Sequence, residues 1–484
     1  MGFFAQHDWE GRTYLGGWIE LGATADAVSP STGESLASFA VASPADVETA
    51  TDLAVSAQRT WASTSPEERS AVLRRAAAIL EDQRGVLERW LQDEAGSAPG
   101  KAAFEVGLVA SELHLASATA MVPYGQVLRS GRPRLSLSRR VPVGVVGVIS
   151  PFNFPAILAM RSIAPALALG NAVVLKPDPR TTIAGGLLLA AVLEEAGLPV
   201  GVLNVVPGGT EVGAALVDEP RVPVISFTGS TPAGRAIAER GGRLLKRVHL
   251  ELGGNNALVV LEDADVEAAA SAGAWGSFLH QGQICMTTGR HLVHESLYDR
   301  YVALLSEKAA RIPAGPPASG APLGPIIDAG QRDKVHSVVT RSVDAGARLT
   351  AGGTYEALFY APSVLADVAP GHAAFEEEIF GPVASITPFS TTDQLVQLVN
   401  SSPYGLSIGI LTGDAYAAFE LAERLSSGIV HINDQTVDDE AQAPFGGVGA
   451  SGTGVRFGGH EANIEAFTET QWVTMQARIA EYPF

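Results

Sequence analysis

Residues 143–176 have the sequence VGVVGVISPFNFPAILAMRSIAPALALGNAVVLK, and this stretch decides the fold class. Residues 143–149 are rich in valine and isoleucine, which favours a buried β-strand. Prolines and an asparagine then interrupt the apolar pattern, and an apolar helix is predicted over residues 155–169. A second strand is predicted over residues 172–175. A strand, a helix and a second strand form a βαβ unit, which is typical of a parallel sheet.

The same alternation continues along the chain. Three more strands are predicted, separated by helices: strands over 202–206, 222–227 and 248–252, helices over 181–196, 211–217 and 232–239. A second alternating set is predicted from residue 256 to residue 445. The pattern therefore predicts an α/β protein with mainly parallel sheets. Because ligands of such sheets bind at the carboxyl ends of the strands, residues at strand ends are the candidates for chemistry.

Residues on either side of this region have signals of their own. The N-terminal part is predicted to be helical, with Ser43 and Ser65 as N-caps before prolines and acidic residues. The second of these helices is predicted to run to about Glu94. Residues 128–140 alternate polar and apolar side chains and predict a hairpin or a protruding arm. The partly apolar tail, 468–484, is expected to pair with another chain.

Composition excludes several functional classes. The chain has 33 Lys and Arg against 52 Asp and Glu, a formal net charge of −19, which argues against a nucleic-acid partner. A single cysteine excludes an intrachain disulfide framework and suits a reducing, cytoplasmic setting. Residues 1–10 lack the basic and apolar segments of a secretory leader. Prolines and Asn153 interrupt the uncharged run 141–160, so no membrane span is expected there.

No metal centre is expected. His291 and His294 lie close together in the sequence, but the H-E-x-x-H spacing of zinc-binding helices is absent. The interpretation for these two positions is a pair of surface histidines.

Cys285 is the only thiol, and it lies in Gly282-Gln283-Ile284-Cys285-Met286-Thr287-Thr288-Gly289-Arg290. Lone cysteines are often small buried hydrophobes. Here glycines flank the thiol and polar residues follow it at once, which favours a reactive group. Arg290 is a cation that could favour the thiolate. The surrounding sequence does not match a papain-like protease.

Two further polar residues stand at predicted strand ends. Glu251 lies between leucines, and two glycines follow the second leucine. Partial burial would raise the pKa of its carboxyl and make it a general base, and a structural ion pair is the alternative. Asn153 stands among phenylalanines and prolines. Its amide is a candidate donor to a developing oxyanion, and a turn-forming asparagine is the alternative.

Two more strand ends point to a nucleotide. The segment Phe227-Thr228-Gly229-Ser230-Thr231-Pro232-Ala233-Gly234 follows a strand and opens a helix, where backbone amides can bind pyrophosphate. It matches neither the P-loop nor the dinucleotide fingerprint, so an ordinary turn is the alternative. Lys176 ends a buried strand, where a ribose or a phosphate would lie. A solvated strand end is the alternative for this lysine.

In order along the chain, these segments resemble the aldehyde dehydrogenase superfamily, from about residue 25 to residue 475. The motifs that carry the resemblance are Pro151-Phe152-Asn153-Phe154-Pro155, Leu175-Lys176-Pro177, Phe227-Thr228-Gly229-Ser230, Glu251-Leu252-Gly253-Gly254, Gly282-Gln283-Ile284-Cys285, Glu377-Glu378-Ile379-Phe380-Gly381-Pro382 and Pro444-Phe445-Gly446-Gly447. The resemblance implies a Rossmann-type cofactor domain, an α/β catalytic domain and a small oligomerisation element.

The resemblance also implies the reaction, which is the NAD(P)-dependent oxidation of an aldehyde to its acid. Cys285 would be the nucleophile that forms a thiohemiacetal and then a thioester. Asn153 and the Cys285 amide would bind the oxyanion, and Glu251 would activate the hydrolytic water.

The implied cofactor site follows the same motifs. Lys176 would bind the adenosine ribose, Ser230 the pyrophosphate and Glu378 the nicotinamide ribose, with Phe380 near the nicotinamide. The remaining residues of the implied cofactor site are Ser150, Pro151, Phe152, Gly209, Phe227, Gly229 and Leu252.

One position departs from the family pattern. Many NAD-preferring members have a glutamate three residues after the strand-end lysine, and here that position is Pro179. The carboxylate that would repel a 2′-phosphate is therefore missing, and Arg180 is adjacent. NAD is the first expectation for the cofactor, and NADP is the alternative.

A narrower resemblance, to the benzaldehyde and vanillin dehydrogenase branch, comes from Lys176-Pro177-Asp178-Pro179-Arg180-Thr181 and His431-Ile432-Asn433-Asp434-Gln435-Thr436. It implies an aromatic aldehyde as substrate. The expected pocket residues are Phe154, Leu158, Arg161, Leu279 and Phe445. Arg161 would polarise ring substituents or face solvent. Asp438 and Asp439 are expected to be charges at the rim, and contact with a hydroxyl on the substrate ring is the alternative.

The resemblance implies a division of the chain. The cofactor domain would take residues 1–121, 141–252 and 446–466, and the catalytic domain 253–445. Residues 122–140 and 467–484 would bridge subunits in a homodimer or homotetramer. Rival functions are a CoA-acylating aldehyde dehydrogenase, an aliphatic or semialdehyde dehydrogenase, and a non-catalytic scaffold.

Overall fold

The computed structural model describes residues 9–123 and 125–484. Most of the segment in which a secretory leader was not expected, residues 1–10, therefore lies outside the described residues. Within the described parts of the chain, no helix combines the length and the apolar character that crossing a membrane requires.

The N-terminal region contains four short strands that the sequence analysis missed, and then four helices. The strands are β1 (Arg12–Tyr14), β2 (Trp18–Glu20), β3 (Thr24–Val28) and β4 (Ser35–Ala40), and the helices are α1 (Pro44–Ser63), α2 (Pro66–Asp82), α3 (Arg84–Ala95) and α4 (Pro99–Thr119). Ser65 caps α2, as predicted, by accepting the Glu68 amide at 3.2 Å. The predicted single helix is wrong, because the chain leaves helical geometry at Gln83 (φ −104°, ψ 17°).

Next come the arm and the first large sheet. The elements are β5 (Gly125–Val127), β6 (Leu135–Pro142), β7 (Val145–Ile149), α5 (Pro155–Ala168), β8 (Ala172–Lys176), a π-helical turn (Ile183–Leu187), α6 (Leu188–Glu195), β9 (Leu203–Val205), α7 (Thr210–Asp218), β10 (Val224–Gly229), α8 (Thr231–Arg243) and β11 (Arg247–Leu252). Strands β11-β10-β7-β8-β9 form a parallel sheet in that order, which confirms the α/β prediction.

The second large sheet begins directly after the first. Its region contains β12 (Asn256–Val260), α9 (Val266–Phe278), a 3₁₀ turn (Leu279–Gly282), β13 (Thr288–His294), α10 (Tyr298–Arg311), a second 3₁₀ turn (Pro317–Ser319), α11 (Ala329–Asp344), β14 (Arg348–Ala351), β15 (Tyr355–Glu356), β16 (Phe359–Tyr360), β17 (Ser363–Ala366), α12 (Ala373–Glu376), β18 (Val383–Phe389), α13 (Thr392–Asn400), β19 (Tyr404–Gly405), β20 (Ser407–Leu411), α14 (Ala415–Ala422) and β21 (Ile429–Ile432). The order is β14-β17-β18-β13-β12-β20-β21, parallel except for the β14–β17 pair.

The last elements return to the first half of the chain. They are β22 (Val448–Gly449), α15 (Gly459–Phe467) and β23 (Thr468–Met475). Phe445, Phe457 and Phe467 join the apolar core of the first sheet. Strand β23 pairs with β6, and β6 with β5, in an antiparallel sheet. The arm therefore contains the hairpin that was predicted, and the tail pairs first with the arm of its own chain.

Strand β13 was not predicted from the sequence. It lies in the centre of the second sheet, yet it contains Arg290 and His291, which do not suggest a buried strand. Arg290 donates to the Asn255 carbonyl oxygen at 2.9 Å, and the His291 ring bonds Ser277 at 2.7 Å. Buried polar groups are tolerated where such partners satisfy them. The prediction that His291 lies at the surface is wrong, because the residue is fully buried.

Candidate active site

A cleft of about 360 Å³ lies at the carboxyl ends of the first sheet's strands. Most of the predicted cofactor residues line it: Ser150, Pro151, Phe152, Lys176, Phe227, Gly229, Ser230, Leu252, Glu378 and Phe380. Gly209 is not part of the described wall. It is the N-cap of α7, and its amide donates to Glu211 Oε1 at 3.1 Å.

A second, narrower cavity of about 30 Å³ lies on the other side of Cys285. Four of the predicted pocket residues line it, namely Phe154, Leu158, Arg161 and Phe445. Leu279 is absent from the described wall and packs against the core of the first sheet. The two cavities share Asn153, Leu158 and Cys285. A group bound in either cavity therefore meets the same thiol.

The turn before Cys285 has an unusual backbone. His280, Gln281 and Gly282 all have positive φ, at 48°, 54° and 66°. At Gly282 a Cβ atom would lie 2.1 Å from the Gly381 carbonyl oxygen, so only glycine fits this contact. After the turn, Asn256 Nδ2 donates to the Cys285 carbonyl oxygen at 2.8 Å. The backbone at the thiol is therefore fixed from both sides.

The thiol itself is in its neutral form at neutral pH. Burial raises the pKa of Cys285 to about 12, and the Glu378 and Glu251 carboxylates act in the same direction. The expectation that Arg290 favours the thiolate is wrong, because its guanidinium donates to the carbonyl oxygens of Asn255 and of residues in α13. Arg161 is the cation that lowers the thiol pKa, and it only partly offsets burial.

Glu251, near the end of β11, is buried, and its carboxylate lines the wide cleft. Neither carboxylate oxygen has a hydrogen-bond partner within the described residues. Burial raises the pKa of Glu251 well above its ordinary value, while Arg161 and Arg456 oppose the shift. A structural ion pair is therefore not the arrangement found here. An unpaired carboxylate of raised pKa is a better proton acceptor than an ordinary glutamate.

The Asn153 side chain lies in the turn between β7 and α5. Its Nδ2 donates to the Gln283 carbonyl oxygen at 2.8 Å, which directs the amide toward the Cys285 segment. The backbone carbonyl of Asn153 accepts a hydrogen bond from buried Lys101 at 2.7 Å. The turn is thus tied to both α4 and the thiol segment.

The wide cleft has the chemistry that a dinucleotide needs. Burial lowers the pKa of Lys176, which closes β8 at one end of the cleft. Ser230 is the N-cap of α8, and its hydroxyl makes no cap bond to the helix, so it is available to a ligand. Glu378 accepts the Gly254 amide at 3.1 Å, and burial raises its pKa to about 7. Hydroxyl, ammonium and carboxylate groups therefore follow one another along the cleft.

Arg180 also lines this cleft, and its guanidinium is paired with two carboxylates. Its Nε and Nη2 bond the two carboxylate oxygens of Asp178 at 2.9 Å, and its Nη1 bonds Asp328 at 2.6 Å. The same guanidinium lies 4.2 Å from the centre of the Phe152 ring. Two carboxylates thus neutralise the cation beside Pro179.

The narrow cavity has mostly apolar walls and one ion pair. Arg161 is buried, bonds Asp439, and lies 4.5 Å over the Phe445 ring. The solvent-facing alternative for Arg161 is therefore wrong, and so is the rim position for Asp439, whose side chain is only 10 % exposed. Apolar wall residues that the sequence analysis missed are Phe104, Leu108, Ile157, Ile284, Met286 and Val437.

Sequence analysis also missed polar residues on helices. Lys334 and Gln331 of α11 line the wide cleft, and Lys101, Glu105 and Glu112 of α4 lie buried behind the narrow cavity. The i, i+4 spacing of Lys101 and Glu105 was a signal, but such pairs are usually solvated. In the part of the chain that the structure describes, no group of His, Cys, Asp and Glu side chains could form a metal site.

Comparison with known proteins gives the assignment. The model of the aldehyde dehydrogenase family matches residues 18–473. The chain belongs to this family. It is therefore an oxidoreductase that acts on aldehydes.

The relatives of this aldehyde dehydrogenase include enzymes of aromatic aldehydes. It is 58% identical to vanillin dehydrogenase of Amycolatopsis over 100% of both chains. It is 47% identical to the NAD(+) benzaldehyde dehydrogenase of Pseudomonas putida, over 98% of both chains. Among solved structures, betaine aldehyde dehydrogenase of Staphylococcus aureus in complex with NAD+ matches with a TM-score of 0.94 at 28% identity, over 99% of both chains.

Proposed function

We propose that this enzyme oxidises an aromatic aldehyde of the benzaldehyde or vanillin type to its carboxylic acid, with NAD as cofactor. One observation carries the proposal. Cys285 lies where a cleft with dinucleotide chemistry meets a narrow cavity with apolar and aromatic walls. Such a cavity suits a flat ring. The names of the vanillin and benzaldehyde dehydrogenases among the relatives support the same substrate class.

The first step is addition of the Cys285 sulfur to the aldehyde carbon. Because burial favours the neutral thiol, its proton must move to a base, and Glu251 is an unpaired buried carboxylate in the wall of the same cleft. The aldehyde oxygen becomes an oxyanion, to which the Asn153 amide and the Cys285 backbone N–H donate. The product on the enzyme is a thiohemiacetal.

When bound, the nicotinamide supplies the acceptor for the hydride that leaves the thiohemiacetal carbon. Cys285 then carries the acyl group as a thioester. Glu251 first releases the thiol proton to solvent. It then takes a proton from water, and the resulting hydroxide attacks the thioester carbon. The acid leaves, and Glu251 returns its proton to the Cys285 thiolate.

Lys176 would bind the adenosine ribose, Ser230 the pyrophosphate and Glu378 the nicotinamide ribose. NAD is proposed over NADP because Asp178 and Asp328 engage Arg180, so this cation is not free for a 2′-phosphate. Because position 179 is a proline and not a glutamate, no carboxylate there repels the 2′-phosphate of NADP. We therefore expect NADP to be accepted as the weaker cofactor. A higher kcat/KM with NADP than with NAD would overturn this choice.

The second candidate is a CoA-acylating aldehyde dehydrogenase of the same fold. Glu251 argues against it, because an acyl transfer to CoA needs no hydrolytic base at this position. Aliphatic and semialdehyde substrates are disfavoured by the aromatic walls of the narrow cavity. A non-catalytic scaffold is disfavoured by the convergence of thiol, amide and carboxylate.

We further propose a cytoplasmic homodimer or homotetramer, with residues 122–140 and 467–484 at the subunit contact. Large apolar side chains are exposed on this part of the chain, among them Val127, Trp472, Met475 and Phe484. Exposed apolar clusters of this kind are typical of interfaces. A cytoplasmic location suits an enzyme whose single thiol must stay reduced.

The test is NADH absorbance with purified enzyme and a panel of benzaldehyde, vanillin, 4-hydroxybenzaldehyde and short aliphatic aldehydes. We expect aromatic aldehydes to be oxidised to free acid without CoA, and the Cys285→Ala variant to be inactive. A clear preference for aliphatic aldehydes would overturn the substrate class. A requirement for CoA would favour the second candidate.

A further inference from the structure

Helix α4 contains a buried ion pair that is hydrogen-bonded to the turn that contains Asn153. Lys101 Nζ lies 2.5 Å from Glu105 Oε2, and both side chains are completely shielded from solvent. The same ammonium group donates to the Asn153 backbone carbonyl oxygen at 2.7 Å and to Ser97 Oγ at 3.1 Å. All three hydrogens of the ammonium group thus have partners.

Glu105 binds the other end of the same turn. Its Oε1 accepts the backbone amides of Ala156 at 2.9 Å and Ile157 at 3.3 Å. These amides belong to the first turn of α5, where N–H groups have no partner within the helix. Lys101 and Glu105 together therefore hold the backbone on both sides of Phe154, whose ring lies 4.0 Å from the ammonium group.

The ion pair does not touch the cavities directly. As far as the described residues define them, the walls of both cavities include neither Lys101 nor Glu105. A buried ion pair is weak evidence for stability, because apolar residues of similar volume often stabilise a protein as well or better. Any effect of this ion pair on the reaction must therefore pass through the turn that it holds.

We propose that Lys101 and Glu105 are positioning residues that fix the Asn153 side chain as the oxyanion donor. On one side Asn153 is bound to α4 through its carbonyl oxygen, and on the other its amide reaches the Gln283 carbonyl oxygen at 2.8 Å. An oxyanion donor contributes fully only when its N–H is already directed at the developing charge. The inference rests on the proposed function, because it assigns a role within that reaction.

Loss of the Lys101 ammonium group frees the Asn153 carbonyl and lets the turn move. A small misplacement of a reacting or stabilising group can cost about 100-fold in rate. We expect Lys101→Met to lower the single-turnover rate of NADH formation by about 10- to 100-fold. The KM for NAD should stay within about twofold, since the cofactor cleft is built from other strand ends.

The experiment is a double-mutant cycle between Lys101→Met and Asn153→Ala, read as single-turnover NADH formation with benzaldehyde. If Lys101 acts through Asn153, Lys101→Met should slow the Asn153→Ala enzyme by less than about twofold. Glu105→Gln should behave in the same way, and Lys101→Arg should restore part of the rate because it keeps a donor and the charge.

Glu94→Gln is the matched control. Glu94 is another buried carboxylate that accepts two helix-start amides, those of Ile183 at 2.9 Å and Ala184 at 2.8 Å, but it holds a different turn. We expect Glu94→Gln to lower Tm and to leave the single-turnover rate within about twofold.

The inference would be overturned if Lys101→Met slowed the unmodified enzyme and the Asn153→Ala enzyme equally. An unchanged rate in the Lys101→Met enzyme would also overturn it. If Lys101→Met does not fold, the cycle with Glu105→Gln decides by the same criterion. Failure of the proposed function has a different signature, because the unmodified enzyme would then form no NADH from benzaldehyde or the other aromatic aldehydes.

Discussion

At the scale of single residues, Cys285 and Glu251 share one property. Both are acids whose pKa is raised by burial, the thiol to about 12 and the carboxyl well above its ordinary range. Neither is therefore a ready nucleophile or base in acid solution. The reaction depends on moving one proton between them, which makes its rate depend on pH.

The first prediction concerns this dependence. Only the deprotonated Glu251 carboxylate can accept a proton, so kcat/KM should rise with pH by about tenfold per unit below the carboxyl pKa. This rise in kcat/KM should occur at a pH well above the ordinary pKa of a glutamate, because burial raises the pKa of Glu251. Glu251→Gln should lower kcat by about 100-fold or more and remove the rise of kcat/KM with pH. If the rise persists in the Glu251→Gln enzyme, another group causes it.

The second prediction concerns the ion pair in the narrow cavity. Asp439→Asn leaves the buried Arg161 cation without its carboxylate partner, and such a loss costs about 3–5 kcal/mol of stability. We expect a lower Tm and a higher KM for aromatic aldehydes, with the KM for NAD unchanged. Glu440→Gln is the control, since Glu440 is exposed on the same loop and lies outside the described walls of both cavities. Equal effects of both substitutions would contradict the assignment.

Site residues at strand ends were predictable, whereas those on helices were not. Glu251 and Lys176 attract attention because a charge at the end of an apolar strand is unusual. Lys101, Glu105 and Glu112 occur at i, i+4 and i+11 on α4, where charged residues are common on solvated faces. Their burial depends on α5 packing against α4, which is a tertiary contact that no local pattern reveals.

At the scale of elements, the turn after β8 forms part of the cleft in which we propose that the cofactor binds. It places Lys176, Asp178 and Arg180 on the wall of one cleft. Arg180 is also bonded to Asp328, the N-cap of α11, so the turn connects the two halves of the cleft.

The third prediction follows from this connection. Asp328→Asn removes one of the two carboxylates that neutralise Arg180, and the freed cation should favour a 2′-phosphate. We expect the ratio of kcat/KM for NADP to that for NAD to rise by about fivefold, the effect of about 1 kcal/mol. Asp333→Asn, at an exposed site on the same helix, should leave the ratio unchanged. A falling ratio in Asp328→Asn would contradict the account.

The regular alternation of strands and helices made most elements of the first sheet predictable, but no sequence pattern indicated where the backbone is irregular. The predicted helix over 181–196 begins as a π-helical turn at Ile183. The reason is tertiary, because Glu94 binds the Ile183 and Ala184 amides and Gly185 packs against Pro155. Strand β13 was missed because its buried Arg290 and His291 find partners on other elements.

At the scale of the whole molecule, the arm and the tail form a sheet that projects apolar side chains into solvent. Trp472 and Met475 of β23 are 63% and 62% exposed. The β23-β6-β5 sheet is held within one chain, so its exposed face is free to meet a second copy.

The fourth prediction tests this face. Replacing Trp472 with serine should shift the protein to a smaller species in size-exclusion chromatography with light scattering. Trp275→Ser is the matched control, because Trp275 is 56% exposed on α9, in the region of the second large sheet. An unchanged mass for Trp472→Ser, or an equal shift for Trp275→Ser, would place the subunit contact elsewhere.

The central claim is that Cys285 carries the acyl group between the two cavities. The most direct measurement is the mass of the Glu251→Gln enzyme after reaction with benzaldehyde and NAD, followed by peptide mapping. Acylation is slow in this variant, because the thiol must lose its proton to solvent instead of to Glu251, but hydrolysis of the thioester is slowed as well. On long incubation we therefore predict a benzoyl adduct on the peptide that contains Cys285, formed together with NADH. An enzyme that forms NADH without an adduct, or with an adduct on another residue, would contradict the account.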